Sequence, residues 1–421
     1  MQASPERGQV TRGLGLVTLV ILAGFGVYRF GQQAVYPIAK GSVGADFAVF
    51  QDGARAIVRG TPLYPQPGLP LTYMYPPTLA IMLVPVVDRP GALFLFMAGA
   101  AVAVLGTILL LARFASADWY SVGAVLGAAA LCAWPVHLLL RQGQVDSYTV
   151  LLMVATLLLV WRGRPGLGAL PLALAIGLKF TPGVLLLYFG WKKRYRLVAQ
   201  TLLATVCLLG LEALVVGLPT VVGYFSQVVP RIGTEGHAYW YNQSLHATFL
   251  RLFAANEYTE PVADLGVGVV VSASATSLLL LLVLTLLVVP RSWPQSAAVY
   301  LAEAGAFMIL EIIGASLSWQ MHAVWLLVPV GALLLAAQQG LPAPRWFGVL
   351  AGLAVLGFVY GPFEPPFEYG RFAHGWWNLL ISHTLWAALA LLGLCLYLVR
   401  NDRLRPRPVP RSEPGAARRT R

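Results

Sequence analysis

Arg162 to Arg194 reads RGRPGLGALPLALAIGLKFTPGVLLLYFGWKKR, and the fold turns on how these residues are read. From Pro165 to Trp191 there are 27 residues with one charge, Lys179, between two basic ends. Cytoplasmic loops of membrane proteins gather Lys and Arg, so both ends belong on the same side of a bilayer. The apolar stretch must then enter and return. Split at its middle, each arm has about 13 residues, about 20 Å of helix, too short for a hydrocarbon core about 30 Å thick. The sequence predicts a re-entrant hairpin with Lys179, Thr181 and Pro182 at its tip. Protein must cover that tip, because broken backbone at membrane depth is tolerated only where protein or a water-filled cavity shelters it.

Apolar runs extend outward from this hairpin in both directions: 14 to 30, 91 to 112, 119 to 140, 145 to 161, 196 to 217, 264 to 290, 296 to 315, 322 to 338, 346 to 361 and 376 to 399. Of the 421 residues, 58% are hydrophobic and 11% charged, against about 25% charged in a soluble domain, which excludes a soluble enzyme. The expected fold is all-α: a polytopic transmembrane bundle of about ten full spans plus short re-entrant and interfacial helices. With residues 1 to 12 inside, alternation through ten spans puts Arg7, Arg12, Arg162, Arg164, Lys192 to Arg196, Arg291, Arg345 and the tail on the cytoplasmic side. Residues 13 to 399 form the membrane domain. Its outer face carries two long loops, 31 to 75 and 218 to 263, and shorter turns at 141 to 144, 316 to 321 and 362 to 375. No internal repeat is evident, which counts against a transporter built from two similar halves.

The tail, 400 to 421, holds eight arginines against Asp402 and Glu413, half of the net charge of +12. Interleaved prolines keep it unfolded, and its expected partner is the anionic cytoplasmic leaflet rather than nucleic acid. Cys132, Cys207 and Cys395 fall within apolar runs without CxxC spacing, as small core residues do. The run from Leu14 to Phe30 lacks a small-residue cleavage site and is expected to stay as the first helix.

The polar residues gather in the outer loops. Residues 46 to 60, DFAVFQDGARAIVRG, place Phe47, Phe50, Ala54, Ile57 and Val58 on one helical stripe and Asp52, Arg55 and Arg59 on another. That is an interfacial amphipathic helix, ended by Gly60 and Pro62, with Asp46 suited to cap it. Tyr64, Tyr73, Tyr75, Pro76 and Pro77 follow, either as an interfacial aromatic belt or as a cavity wall.

The order DFAVF, GTPLY, YMYPP, LLRQGQVD, RGRPG with GLKFTP and WKKRYR, NQSL and SWQMH, over about residues 40 to 335, resembles the membrane glycosyltransferases of family 87. These are polyprenyl-phosphate-sugar-dependent mannosyl- and arabinofuranosyltransferases. The resemblance implies the C-type glycosyltransferase fold, the plasma membrane as location and an active site on its extracytoplasmic face. The implied partners are a polyprenyl-phosphate-linked sugar donor and a glycolipid or glycan acceptor. The family's pattern has Asn where this chain has Asp146, and often a second histidine where it has Met321.

A lipid phosphate departs without protonation, so one general base suffices to take the acceptor's proton while oxygen attacks the opposite face and inverts the anomeric centre. Asp46 matches that base by its place in the family motif. Lys179 and Arg141 are the candidate cations for the phosphate, since each would otherwise be an isolated charge near hydrocarbon. His322, one turn after Trp319 at the outer end of a span, joins them as a phosphate ligand through the resemblance. Tyr64, Tyr75, Gln144, Asp146, Asn242, Gln243, Ser244 and Trp319 are the candidate substrate-binding residues, mixing amide hydrogen bonds with ring faces as sugars require. No cofactor or metal is expected, for the chain has no DxD, no HExxH and no His pair at i and i+4. The rival class is a proton-coupled transporter or lipid flippase using the intramembrane acids Glu303 and Glu311, eight residues apart on one helix face, with Glu212 a third acid within a span.

Overall fold

The computed structural model describes residues 5–41, 44–64, 73–115, 118–234, 237–359 and 372–404. Most of the arginine-rich tail, residues 65–72 of the first long loop and most of the 362 to 375 turn lie outside the described residues. The principal helices are α1 (Pro5–Phe30), α2 (Ala45–Arg59), α3 (Pro77–Leu83), α4 (Ala92–Ala112), α5 (Trp119–Cys132), α6 (Trp134–Gln142), α7 (Asp146–Trp161), α8 (Pro165–Leu178), α9 (Val184–Trp191), α10 (Tyr195–Val216), α11 (Leu245–Phe253), α12 (Val267–Val288), α13 (Ala297–Gly314), α14 (Leu327–Gln338), α15 (Arg345–Val359) and α16 (His383–Leu404). Among the described residues there is no strand, only two isolated bridges, Asn242 with Trp319 and Glu260 with His374.

The chain is a multi-pass helical membrane protein, and among the described residues its helices supply fewer full spans than the ten expected. Six stretches are long and apolar enough to cross: α4, α10, α12, α13, Gln320–Gln338 and α16. The run read as 119 to 140 divides into α5 and α6, bent by 63°, because Ala133 is extended and Pro135 restarts the helix. The run at 145 to 161 becomes a helix of 16 residues, about 24 Å long, and the run at 346 to 361 is helical over its described part, Arg345–Val359.

Exposure sorts these helices into centre and periphery. Nearly every side chain of α13 is buried, and α13 packs against α14, α16 and α9. In α12, an unbroken apolar sequence, only Val270, Ser274 and Thr285 are buried. A helix apolar on all sides with its surface uncovered by protein suits hydrocarbon as its solvent.

The stretch from Pro165 to Trp191 folds as α8, a break, and α9. Lys179 is extended (φ −157°, ψ 131°), and Thr181–Gly183 is a single 3₁₀ turn with Pro182 inside it. Both ends of this hairpin lie at one end of the bundle. Trp161, just before α8, stacks on Tyr300 of α13 at 5.2 Å, and Tyr188 of α9 lies 6.1 Å from the same ring. Lys192, after α9, is buried against Glu303 at 2.7 Å and donates to the carbonyls of Pro290 and Ser292. The tip with Lys179 is at the opposite end, where α7 begins. Thr156 of α7 donates to the Gly168 carbonyl of α8 at 3.1 Å. A Cβ at Gly168 would lie 3.0 Å from Val160, so the small residue lets the two helices approach closely.

Candidate active site

Three segments converge beside the hairpin tip: the start of α2, the turn between α6 and α7, and the α8–α9 break. Gly44 has left-handed backbone (φ 83°) and donates its N–H to the Arg141 carbonyl at 2.7 Å. Gly143 is also left-handed (φ 66°), and a Cβ there would lie 2.8 Å from the Cβ of Phe47. Both positions therefore favour glycine, which has no Cβ to clash and adopts positive φ freely. The two backbones meet directly, and Asp46 and Gln144 are carried on them.

Asp46 is the second residue of α2 and not its cap. The chain turns at Gly44 and the helix starts at Ala45, so the carboxylate is free of capping and accepts from Gln144 Nε2 at 3.1 Å. The apolar stripe of α2 holds with one correction: Phe47, Phe50, Gly53 and Ala54 are buried, whereas Val58 is exposed. Burial, and then the nearby Asp146, push the Asp46 pKa up to about 6, against opposing pulls from Lys179 and the Gln144 hydrogen bond. A carboxyl tuned to that value is ionised at neutral pH yet basic enough to take a proton.

Gln144 is buried and joins two elements. Its Nε2 donates to Asp46 and, at 3.0 Å, to the Tyr75 hydroxyl, while its Oε1 accepts from the Val145 N–H at 2.8 Å. Burial pushes the Tyr75 phenol well above its ordinary range, so it keeps its proton and acts only through hydrogen bonds.

Asp146, with no exposed surface, accepts from Lys179 Nζ with both oxygens, at 2.9 and 3.0 Å. His322 Nε2 stands 3.8 Å from Asp146 Oδ2 and has no hydrogen-bond partner among the described residues. His322 rides on a 3₁₀ turn, Gln320–Leu326, entered from Trp319.

Lys179, Tyr75, Trp319 and His322 line one cavity of about 270 Å³, together with Glu311, Thr181, Tyr224 and Ser316. Through Phe180, Thr181, Glu311 and Ala315 this cavity adjoins a groove of about 630 Å³, lined mainly by apolar residues of α9, α10, α12 and α13 such as Leu187, Leu202, Leu282 and Leu310. A largely apolar chamber that carries Lys179, Glu311 and His322 thus lies beside an apolar groove.

Other predicted site residues sit elsewhere. The Arg141 guanidinium lies over the Trp134 ring, 5.9 Å from its centre, outside the cavity lining. Tyr64 is buried and donates to the Tyr75 carbonyl at 2.9 Å, supporting the wall from behind. Asn242, Gln243 and Ser244 are buried and occupied by protein partners. Asn242 Nδ2 donates to the carbonyls of His237 and Ser316, and its Oδ1 accepts from the N–H groups of Ser244 and Ser318. Gln243 Nε2 donates to Trp240 and Ile381 carbonyls, and Ser244 caps α11. This triad latches the second long loop to the segment that carries Trp319 and His322. Glu303 and Glu311 do not pair: Glu303 is held by Lys192 and Tyr188 at the far end, and Glu311 faces the cavity. Glu212 meets the Thr78 hydroxyl. Sequence reasoning left Glu311, Tyr224 and Ser316 out of the site. For Glu311 the signal was present, an acid in an otherwise apolar span.

Among the described residues no cluster of three or more His, Cys, Asp or Glu could hold a metal ion. The description of glycosyltransferase family 87 matches residues 73–310, more than half of the chain. The chain is also 27% identical over 378 residues to the polyprenol-phosphate-mannose-dependent α-(1-2)-phosphatidylinositol pentamannoside mannosyltransferase of Mycolicibacterium smegmatis, covering 85% of this chain and 86% of that protein. The protein of the same description from Mycobacterium tuberculosis is 27% identical over 394 residues, 88% of this chain and 85% of its own. No solved structure matches at a significant level.

Proposed function

The chain belongs to glycosyltransferase family 87, and from that premise we propose that it moves a mannosyl unit from a polyprenyl-phosphate donor to a hydroxyl of a membrane glycolipid, inverting the anomeric centre. Lipid-phosphate donor and glycolipid acceptor are the substrate classes in the names of both relatives. The reaction runs on the extracytoplasmic side of the plasma membrane, the end of the bundle opposite Lys192, if the basic loops face the cytoplasm.

The observation that carries this reading is the cavity lined by Lys179 and His322, which shares Phe180, Thr181, Glu311 and Ala315 with an apolar groove of about 630 Å³. An isoprenoid phosphate needs that pairing: hydrocarbon walls for the chain and a fixed cation for the head. Lys179 supports the phosphate as its charge grows on departure. Asp46 stands beyond the Gln144–Tyr75 pair, outside the cavity lining. In this reading the acceptor hydroxyl lies at Asp46 and the phosphate at Lys179, on opposite faces of the anomeric carbon, as in-line displacement requires. Gln144 holds Asp46 by its amide, and Tyr75 and Trp319 offer ring faces to the sugar. The pentosyl donors that other members of the family use are the second candidate.

The test is transfer by the purified protein in nanodiscs, given polyprenyl-phosphomannose or nucleotide-linked mannose with a phosphatidylinositol mannoside acceptor. Transfer from the lipid-linked donor alone, with inverted configuration in the product, is the expected result. Transfer from the nucleotide sugar, or retained configuration, would overturn the reading.

A further inference from the structure

The charges around the cavity do not balance once an anion enters it. Among the described residues Lys179 is the sole lysine or arginine lining the cavity, and both oxygens of the wholly buried Asp146 already engage it. A phosphodiester drawn to Lys179 brings a second negative charge to one positive charge, in a place where an uncompensated buried charge is costly. None of the remaining titratable neighbours supplies positive charge. Asp46 faces this cluster from α2 and Glu311 from α13, and Tyr75 is neutral. The Arg141 guanidinium lies over Trp134 instead.

His322 is the group placed to correct it. Its Nε2 is 3.8 Å from Asp146 Oδ2, without a hydrogen-bond partner among the described residues. A charged imidazole has N–H on both nitrogens, so Nε2 has a proton to give Asp146 whichever tautomer the neutral ring holds. Closing that gap to charge-assisted hydrogen-bond length takes about 1 Å.

We propose that donor binding takes up one proton from water onto the His322–Asp146 pair, which frees Lys179 to hold the lipid phosphate; the same proton returns to water when the phosphate product leaves and Lys179 recloses on Asp146. His322 in this account is a charge-compensating residue that acts through Asp146 on Lys179. The inference rests on the reading of the cavity as the donor phosphate site.

A polyprenyl methyl phosphodiester tests it, since it has no sugar to transfer and stays a monoanion throughout the pH range used. Calorimetric titration of the protein in nanodiscs, in two buffers of different ionisation enthalpy, counts protons directly. About one proton should be taken up per ligand bound, with affinity falling about tenfold per pH unit across that interval. In His322→Gln the uptake and the pH dependence should both vanish and binding should weaken. In Asp146→Asn binding should persist without uptake, because Lys179 no longer has a competing anion. Wild-type binding without proton uptake would overturn the proposal and leave the donor site standing. Uptake that survives His322→Gln but disappears in Glu311→Gln would refute the assignment to His322. A folded wild type that does not bind the phosphodiester at all would sink the donor-site reading on which the proposal rests.

Discussion

Replacing Asp46 with Asn separates chemistry from architecture. The side chain is not the cap of α2, and an Asn amide oxygen can still accept from Gln144 Nε2. Its carboxyl is raised from 3.8 to about 6 by burial and by Asp146, a little over two units, each about 1.4 kcal/mol. A raised carboxyl pKa stabilises the fold fully below the unfolded value and loses that contribution as pH rises through the folded value. Wild type therefore forfeits at most about 3 kcal/mol between pH 4 and 7, discounted for partial exposure, and Asp46→Asn does not. The variant should melt at or above the wild-type temperature at pH 7. It should lose about a hundredfold to ten-thousandfold in transfer, the range for a general base. With donor saturating, the wild-type single-turnover rate should rise with pH through about 6 as Asp46 sheds its proton, and the variant's residual rate should lack that limb. Single-turnover transfer and thermal unfolding on the same nanodisc sample measure both. Transfer within threefold of wild type, or a variant that melts well below it, would refute the assignment of Asp46 as a base whose charge the fold opposes.

Lys179→Met should cost both stability and transfer, because it leaves Asp146 as a buried unpaired charge, a loss of about 3 to 5 kcal/mol. Adding Asp146→Asn should restore the melting temperature and leave transfer absent; recovery of transfer in the double variant would remove Lys179 from the site. Asn242→Ala should lower stability by about 3 kcal/mol, since four backbone groups lose a buried partner, while transfer per folded molecule stays within threefold of wild type. A raised KM for the acceptor with unchanged melting would instead return Asn242 to the sugar pocket.

What could be read from the sequence follows from where the information is local. The break at Lys179 was legible because one charge, with Pro182 close behind it, interrupts an apolar stretch with basic ends. The division of the 119 to 140 run was not, since hydropathy reports composition and does not see a helix bend at Ala133. Asp46 could be chosen by motif, but its release from capping depends on the φ of Gly44, which a sequence does not display. Asp146 was taken for a substrate ligand, and its engagement by Lys179 is a contact between residues 33 apart. The Asn242–Gln243–Ser244 string has the composition of a sugar site. Its amides are satisfied by carbonyls as distant in sequence as Ile381, and only tertiary structure could reveal that.

The direct meeting of the Gly44 and Gly143 turns bears on how the protein answers to the thickness of the bilayer around it. A thicker or thinner membrane tilts and slides its helices against one another. The segments that carry Asp46 and Gln144 are tied by the main-chain hydrogen bond from Gly44 to Arg141 and by the close contact of Gly143 with Phe47, so the base and its amide should travel as one piece. Lys179 is fastened to Asp146 by side chains alone, at the tip of a hairpin anchored at the other end of the bundle. Lipid composition should therefore tune the hold on the donor and leave the base undisturbed.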